Sequence, residues 1–151
     1  KSVIKSNQNR VILHTKRIEK IIGKNMKNKK IAFLGVTFKP NTDDMRDSTS
    51  LTMIPYVAKK GALISYYDPS GVKEEFKKIK NCKYHKNISD TCRGAELIIL
   101  HTEWDEFKSL DFKKITKNKK IKLFDLRNLY NFDEMLKNKI KYYSIGRPDI
   151  N

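Results

Sequence analysis

The stretch KKIAFLGVTFKPNTDDMRDS, residues 29–48, joins a short apolar run to a long polar loop. The apolar run, residues 29–35, predicts a buried β-strand. The loop that follows therefore starts at the carboxyl end of a strand, which is where ligands bind in open α/β sheets. The charged side chains of this loop make it a candidate binding site.

Strand-like and helix-like segments alternate along the rest of the chain. Strands are predicted over residues 30–36, 62–68, 82–85, 95–101, 121–127 and 141–146. Helices are predicted over residues 7–22, 50–61, 71–80, 88–94 and 132–138, and helical turns over residues 103–118. Ser48 or Ser50 is expected to cap the second of these helices. Such alternation indicates a parallel sheet with right-handed crossovers. The sequence predicts one α/β domain from about residue 28, a Rossmann-like doubly wound parallel sheet with helices on both faces, preceded by one helix.

The composition is that of a folded domain. The chain has 151 residues, of which 38% are hydrophobic, enough for a core. No apolar stretch approaches the roughly 20 residues that span a bilayer, so no membrane partner is expected. The first ten residues lack the apolar segment of a secretory signal. There is no initiator methionine, and we expect a fragment or a processed piece of a longer protein.

The net charge of +16 suggests a nucleic-acid partner at first sight. The lysines are, however, scattered along the chain rather than gathered in one motif. No zinc-finger, helix-turn-helix or RNP-type signature accompanies them. We interpret the charge as lysine enrichment on solvated faces and expect no specific nucleic-acid partner, although phosphate-bearing ligands such as nucleotides would still be attracted.

The cysteines and histidines form no recognisable metal or catalytic set. Cys82 and Cys92 stand outside any Cys-x-x-Cys pair, so neither zinc nor a redox dithiol is indicated. Both are expected to be buried or half-buried thiols of a cytosolic protein. His14, His85 and His101 are isolated from one another in sequence. His101 closes the strand over residues 95–101, where we expect a hydrogen-bonded structural histidine.

The loop after the first strand carries fixed charges instead of glycines. A dinucleotide fingerprint needs Gly-x-Gly-x-x-Gly, and here only Gly35 is present. Lys39 offers a compact cation for a phosphate or sugar oxygen, and Arg46 offers a planar fork for bidentate contacts. Asp43 and Asp44 could orient these cations or cap the helix that follows. The alternative is a polar loop with a helix cap and no ligand.

A family resemblance is carried by the segments GVTFKPNTDDMRDSTSL, GALISYYDP, AELIILHTEWDEFKSLDF, FDLRNLY and YYSIGR, in this order. Together they closely resemble the carboxyl-terminal domain of the UDP-glucose/GDP-mannose dehydrogenase family, over roughly residues 7–147. The helix that contains SNQNR is similar to the segment leading out of that family's central dimerisation region. The resemblance implies a helical segment over residues 1–27 and a UDP-sugar-binding domain over residues 28–151.

Enzymes of this family oxidise the C6 alcohol of a nucleotide sugar to a carboxylate and reduce two NAD+ in succession. A cysteine thiolate in a preceding part of the chain carries the intermediates. The motifs FKPNTDDMRD and TEWDEF favour UDP-glucose as the substrate over GDP-mannose or UDP-N-acetylmannosamine. A truncated, non-catalytic module that binds nucleotide sugars is a further alternative. The resemblance implies a cytoplasmic enzyme of polysaccharide biosynthesis that forms a homodimer or a higher homo-oligomer.

Site residues also follow from the resemblance. Phe38 and Lys39 match the substrate-contacting pair of the family's Phe-Lys motif, and Arg127 matches an arginine that contacts substrate. Arg46 matches the arginine that reaches NAD across the cleft. Leu126 stands where many relatives have glycine. The dinucleotide fingerprint and the glycine-rich context of the catalytic cysteine are both absent, so we assign no catalytic residue and expect this chain alone to be inactive.

Overall fold

A computed structural model describes residues 2–151, with side chains from residue 8 onward. Helix α1 spans Ser2–Ile22 and precedes the sheet. The strands are β1 (Lys30–Leu34), β2 (Leu63–Tyr67), β3 (Cys82–Tyr84), β4 (Leu97–Leu100), β5 (Lys122–Asp125) and β6 (Lys141–Ser144). The other α-helices are α2 (Ser50–Lys59), α3 (Ile88–Cys92), α4 (Phe112–Thr116) and α5 (Phe132–Lys137), and two 3₁₀ turns cover Glu74–Phe76 and Asp105–Phe107.

The six strands form one parallel sheet in the order β3-β2-β1-β4-β5-β6. The chain winds from β1 out to β3, returns to place β4 beside β1, and then winds out to β6. The neighbouring strands β1 and β4 therefore form the topological switch point, where an open α/β sheet has its ligand crevice. The predicted Rossmann-like, doubly wound parallel sheet is confirmed.

Two hydrophobic clusters cover the two faces of the sheet, because successive side chains of a strand point to opposite faces. In β1, Ile31 and Phe33 belong to the first cluster, and Ala32 and Leu34 belong to the second. Helices α1 and α2 pack on the first face. Helices α3, α4 and α5 pack on the second face. All residues of β4 are buried, as expected for a central strand covered on both sides.

Polar contacts attach the carboxyl-terminal half of helix α1 to the sheet. Lys122 Nζ and Lys29 Nζ donate to the last two carbonyls of the helix, at 2.9 and 2.5 Å. These cations satisfy acceptors that have no partner within a helix and favour its negative end. The Arg17 guanidinium donates to the carbonyl of Ser144 in β6, at 2.6 Å, and to the Asp149 carboxylate, at 2.9 Å. Helix α1 is thus fixed to the sheet.

Both edges of the sheet are short or covered. Strand β3 contains only three residues. On the outer side of β6, Tyr142 and Ile150 form an antiparallel bridge with backbone hydrogen bonds of 2.9 and 2.8 Å. The carboxyl-terminal segment therefore folds back along the last strand.

One predicted helix is mostly wrong. Residues 71–80 contain only the 3₁₀ turn Glu74–Phe76. The helical turns predicted over residues 103–118 are confirmed, as a 3₁₀ turn and the short helix α4. In residues 71–80 the backbone N–H of Lys73 donates to the Tyr66 hydroxyl, at 2.9 Å, which attaches the start of the segment to strand β2. Bonds between residues three apart then continue the segment as tight turns.

The predicted helix cap is also wrong. The N-cap of α2 is Thr49, which makes no side-chain capping bond. The hydroxyls of Ser48 and Ser50 both donate to the carbonyl of Val36, at 2.6 Å each. These serines therefore attach the end of the polar loop to its beginning.

The two thiols are as expected from the sequence, since Cys92 is buried, Cys82 is half-buried, and neither forms a disulfide. Among the helices described by the structure, none combines the length and the apolar character needed to cross a membrane.

Candidate functional site

A cleft of about 210 Å³ lies at the carboxyl end of the sheet, beside the β1–β4 switch point. Four parts of the chain form it: helix α1, the loop between β1 and α2, the end of β4 and the loop after β5. Its lining residues are Arg10, His14, Phe38, Asp47, Thr49, His101, Leu126 and Arg127. The cleft is where the topology predicts a ligand.

Gly35 lets the loop after β1 pass close to the end of β4. Its φ is +77°, in the left-handed region that favours glycine. A Cβ atom at this position would lie 2.6 Å from the Thr102 Cβ and 2.8 Å from the Thr102 carbonyl oxygen. The approach of the two loops at the switch point therefore requires glycine.

The buried carboxylate of Asp68, at the end of β2, holds the start of the same loop. One oxygen accepts the backbone N–H groups of Val36, at 2.8 Å, and Thr37, at 3.3 Å. The other accepts the N–H and the hydroxyl of Ser70, at 2.9 and 2.5 Å. These amides are already paired and are not free to bind a pyrophosphate. With the glycine fingerprint also missing, the loop does not fit a complete NAD site.

Arg127 connects three loops around the cleft. Its Nε donates to the carbonyl of His101, at 2.8 Å, and its Nη2 donates to the carbonyl of Phe38, at 3.0 Å. Its own backbone N–H donates to the buried carboxylate of Asp125, at 3.0 Å. The Nη1 atom lies 3.8 Å from the Glu103 carboxylate, and the side chain is 32% exposed. The outer part of the guanidinium thus remains accessible to a ligand.

The predicted hydrogen bonding of His101 is confirmed. His101 is buried, with Nε2 2.8 Å from the Thr49 hydroxyl and Nδ1 3.0 Å from the Thr102 hydroxyl. Burial, followed by the positive charge of Arg127 and the nearby His14, lowers its pKa to about 3. The ring is therefore neutral at neutral pH.

His14 lines the cleft from helix α1. Its ring packs edge-on against Phe124, with centroids 6.2 Å apart. Burial is the main cause that lowers its pKa to about 4, with further contributions from Arg10, Arg17 and Arg127. Its Nδ1 atom is buried and has no hydrogen-bond partner in the part of the chain that the structure describes. The positive charge of the cleft is therefore carried by arginines, with both imidazoles neutral.

The structure brings some of the predicted site residues together and separates others. Phe38 and Arg127 both line the cleft, and Phe38 is 47% exposed. Lys39 is next to Phe38 and exposed, but it is not part of the lining. Arg46 lies apart from the cleft, in a shallow depression of about 420 Å³ that it shares with Ser70.

Arg46 is paired with Asp44, as the sequence suggested for one of the loop carboxylates. Its Nε and Nη2 donate to the Asp44 carboxylate at 3.1 and 3.0 Å. These hydrogen bonds lower the pKa of Asp44. The Arg46 side chain remains 88% exposed, so it projects from the loop toward solvent.

Sequence reasoning missed the contribution of helix α1 to the cleft. Arg10 and His14 are four residues apart, a spacing that places them on one face of a helix. That spacing was visible in the sequence, but nothing in it showed that this face would lie beside the loop after β5.

The sequence matches known proteins over nearly its whole length. The family model described as "UDP-glucose/GDP-mannose dehydrogenase family, UDP binding domain" matches residues 32–132. The UDP-glucose 6-dehydrogenase of Rhizobium meliloti (strain 1021) is 38% identical over 144 residues, which cover 95% of this chain and 33% of the relative. That of Rickettsia bellii (strain RML369-C) is 34% identical over 148 residues, covering 96% and 34%. The chain spans about a third of the length of these relatives.

Solved structures share the fold. A UDP-glucose dehydrogenase from the hyperthermophilic archaeon Pyrobaculum islandicum superposes with a TM-score of 0.72 at 21% identity, covering 93% of this chain and 30% of that one. An NDP-N-acetyl-D-galactosaminuronic acid dehydrogenase from Methanosarcina mazei Go1 has a TM-score of 0.70 at 24% identity, covering 94% and 29%. The resemblance seen in the sequence is confirmed: the chain belongs to the UDP-glucose/GDP-mannose dehydrogenase family and carries its UDP binding domain.

Proposed function

We propose that the cleft between helix α1 and the loops after β1, β4 and β5 binds the UDP portion of UDP-glucose in an NAD-dependent UDP-glucose 6-dehydrogenase. The observation that carries this proposal is the convergence of Phe38 and Arg127 at the switch point. Both residues match substrate-contacting positions of the family. Both lie in one cleft, although they come from different loops of the chain.

The chemistry of the lining suits a nucleoside diphosphate. The outer N–H groups of Arg127 are available to donate to phosphate oxygens, and guanidinium forks match phosphate geometry. The exposed ring of Phe38 offers an apolar surface for a base or a sugar. Lys39, the exposed neighbour of Phe38 outside the lining, adds a cation on a flexible stem.

We assign Arg46 to a different ligand, NAD. Its guanidinium lies outside the lining of the cleft, and the amides of Val36 and Thr37 are occupied by Asp68, so this chain supplies one cofactor contact rather than a complete site. The main NAD-binding domain and the catalytic cysteine would lie elsewhere in the complete dehydrogenase. On this proposal residues 1–27 lead out of a central dimerisation region, and residues 28–151 form the UDP-sugar-binding domain of a homo-oligomeric enzyme.

Titration calorimetry tests the assignment of the cleft. The 151-residue chain should bind UDP and UDP-glucose in preference to GDP. Lys39→Ala should weaken binding by roughly 1–3 kcal/mol, the value of a hydrogen bond to a charged group. Since Lys39 is exposed, this variant should fold normally. Lys59→Ala, which removes an exposed charge from α2, serves as the matched control.

Arg127→Ala should weaken UDP binding further, because it removes a phosphate donor and also releases the loop after β1. Binding of UDP that is independent of both Lys39 and Arg127 would refute the proposed site. Equal or tighter binding of GDP would point instead to a dehydrogenase of another nucleotide sugar.

A further inference from the structure

Helix α1 contributes two side chains to the cleft that are not among the predicted site residues. Arg10 and His14 lie one helical turn apart and line the same space as Phe38 and Arg127. Arg10 is exposed, so its guanidinium is accessible to a ligand. Two arginines from distant parts of the chain therefore reach one cleft.

His14 is the neutral group among these cations. Arg10 and Arg17 face it from its own helix, and Arg127 faces it from the loop after β5. His101, the titratable group contributed by the end of β4, is itself neutral because of burial.

Acidic groups near the cleft are few. Asp47, from the loop before α2, is part of the lining, and the Glu103 carboxylate lies 3.8 Å from Arg127 Nη1. Arg17 is paired with Asp149, which leaves Arg10 and Arg127 against these two carboxylates. The charges that lower the pKa of His14 are nevertheless all arginines, so an anion beside this ring is favoured.

The buried Nδ1 atom of His14 leaves the ring without full hydrogen bonding in the described part of the chain. A buried polar atom without a partner costs free energy, and such atoms are rare in folded proteins. Within the described chain no group bonds to this atom. An anion in the cleft would act on the ring through charge and would stabilise its protonated form.

We propose that Arg10, His14 and Arg127 form a subsite for a phosphoryl group, and that His14 takes up a proton when the anion binds. The inference rests on the proposed function only for the identity of the anion, which would be the diphosphate of a nucleotide sugar. Helix α1 would then be part of the binding site rather than a connection to it.

The proton uptake follows from simple electrostatics. An anion within about 4–6 Å of an imidazole favours its charged form and raises its pKa by roughly one to three pH units. The pKa of His14 starts near 4, so the bound ring titrates at a pH where the free ring is still neutral. Because binding takes up a proton, affinity must rise as the pH falls, by at most about tenfold per pH unit.

NMR titration of the histidine rings tests this directly in the 151-residue chain. UDP-glucose is a suitable probe because its diphosphate diester keeps its charge across the pH range of histidine titration. Inorganic sulfate serves as a probe that contains neither base nor sugar. Either anion should raise the titration midpoint of His14 by roughly one to three pH units. His85, which lies after β3 and away from the lining, should keep its midpoint and serves as the internal control.

Variants separate the subsite from general attraction to a basic protein. Arg10→Ala should weaken the binding of sulfate and UDP-glucose at least threefold, whereas Lys16→Ala, on an exposed position of the same helix, should leave it unchanged. His14→Gln should retain binding at about pH 8 and lose the gain in affinity on acidification toward about pH 5.

The outcomes distinguish the two proposals. If UDP-glucose binds through Lys39 and Arg127 but Arg10→Ala and His14→Gln change neither affinity nor its pH dependence, the subsite is refuted and the proposed function stands. If sulfate raises the titration midpoint of His14, and Arg10→Ala weakens sulfate binding, while UDP-glucose and UDP do not bind, the subsite stands and the proposed function fails. If neither anion shifts the His14 midpoint, the subsite is refuted.

Discussion

Replacing Gly35 with alanine tests how the switch point is built. The left-handed φ of +77° costs a non-glycine residue about 1–2 kcal/mol. The Cβ would also lie 2.6 Å from the Thr102 Cβ, and relieving such overpacking costs about 1–3 kcal/mol. Gly35→Ala should therefore lower the free energy of unfolding by about 2–5 kcal/mol, measured by urea denaturation. For a chain of this size the corresponding fall in Tm is roughly 4–20 °C.

Gly94→Ala is the matched control. Gly94 has nearly the same φ, +72°, but an added Cβ there meets nothing within 4 Å. In this control the free energy of unfolding should fall only by the cost of the left-handed φ, about 1–2 kcal/mol. Equal losses of stability in the two variants would show that the close approach to Thr102 costs nothing, and would refute the steric argument.

Three further predictions concern titration, reactivity and kinetics. The pKa of histidine is near 6.5 in the unfolded chain, whereas burial holds the pKa of His101 near 3 in the folded protein. The stability that neutral His101 contributes is therefore complete above about pH 6.5. It is lost as the pH falls toward 3, by up to about 1.4 kcal/mol per pH unit. His101→Asn should flatten this slope in denaturation curves, and an unchanged slope would contradict the argument. Burial raises the pKa of both Cys82 and Cys92 to about 12, so few thiolates are present near pH 8. Mass spectrometry should therefore show slow alkylation of the native protein by iodoacetamide at this pH. Rapid alkylation would contradict the prediction. In the complete dehydrogenase, Arg46→Ala should raise KM for NAD+ more than KM for UDP-glucose, and Lys39→Ala should do the reverse. If Arg46→Ala left the KM for NAD+ unchanged, the assignment of Arg46 to NAD would be wrong, and this arginine would belong to the substrate site.

The sheet could be predicted because its strands are short apolar runs with turn residues at their ends. Leu97–Leu100 is buried throughout, so its uniform apolar character corresponds directly to its place in the sheet. Residues 71–80 misled the prediction because Val72, Phe76 and Ile79 repeat at helical spacing. In the structure only Phe76 is fully buried, and Val72 is 51% exposed. The hydrogen bond from the Lys73 N–H to the Tyr66 hydroxyl, which attaches the start of this segment to strand β2, is a tertiary contact and is not visible in the sequence.

The candidate site was predictable only where residues lie within a motif. Phe38 and Arg127 belong to sequence motifs of the family, and the structure places them in one cleft. The spacing of Arg10 and His14 predicts a shared helix face but not which loop that face will meet. Their place in the cleft depends on how helix α1 packs on the sheet, which is a property of the tertiary structure.

The covered edges of the sheet bear on how this protein behaves at high concentration. An exposed strand edge offers unpaired N–H and C=O groups to other chains and promotes aggregation. At the outer side of β6, the backbone N–H and C=O of Tyr142 are hydrogen-bonded to the backbone of Ile150. At the other edge, β3 offers only three residues, and the exposed one is Lys83. Neither edge offers a second copy of the chain a long row of unpaired backbone N–H and C=O groups. We therefore expect the protein to resist polymerisation through its sheet edges, even where polyanions neutralise its lysine-rich surfaces.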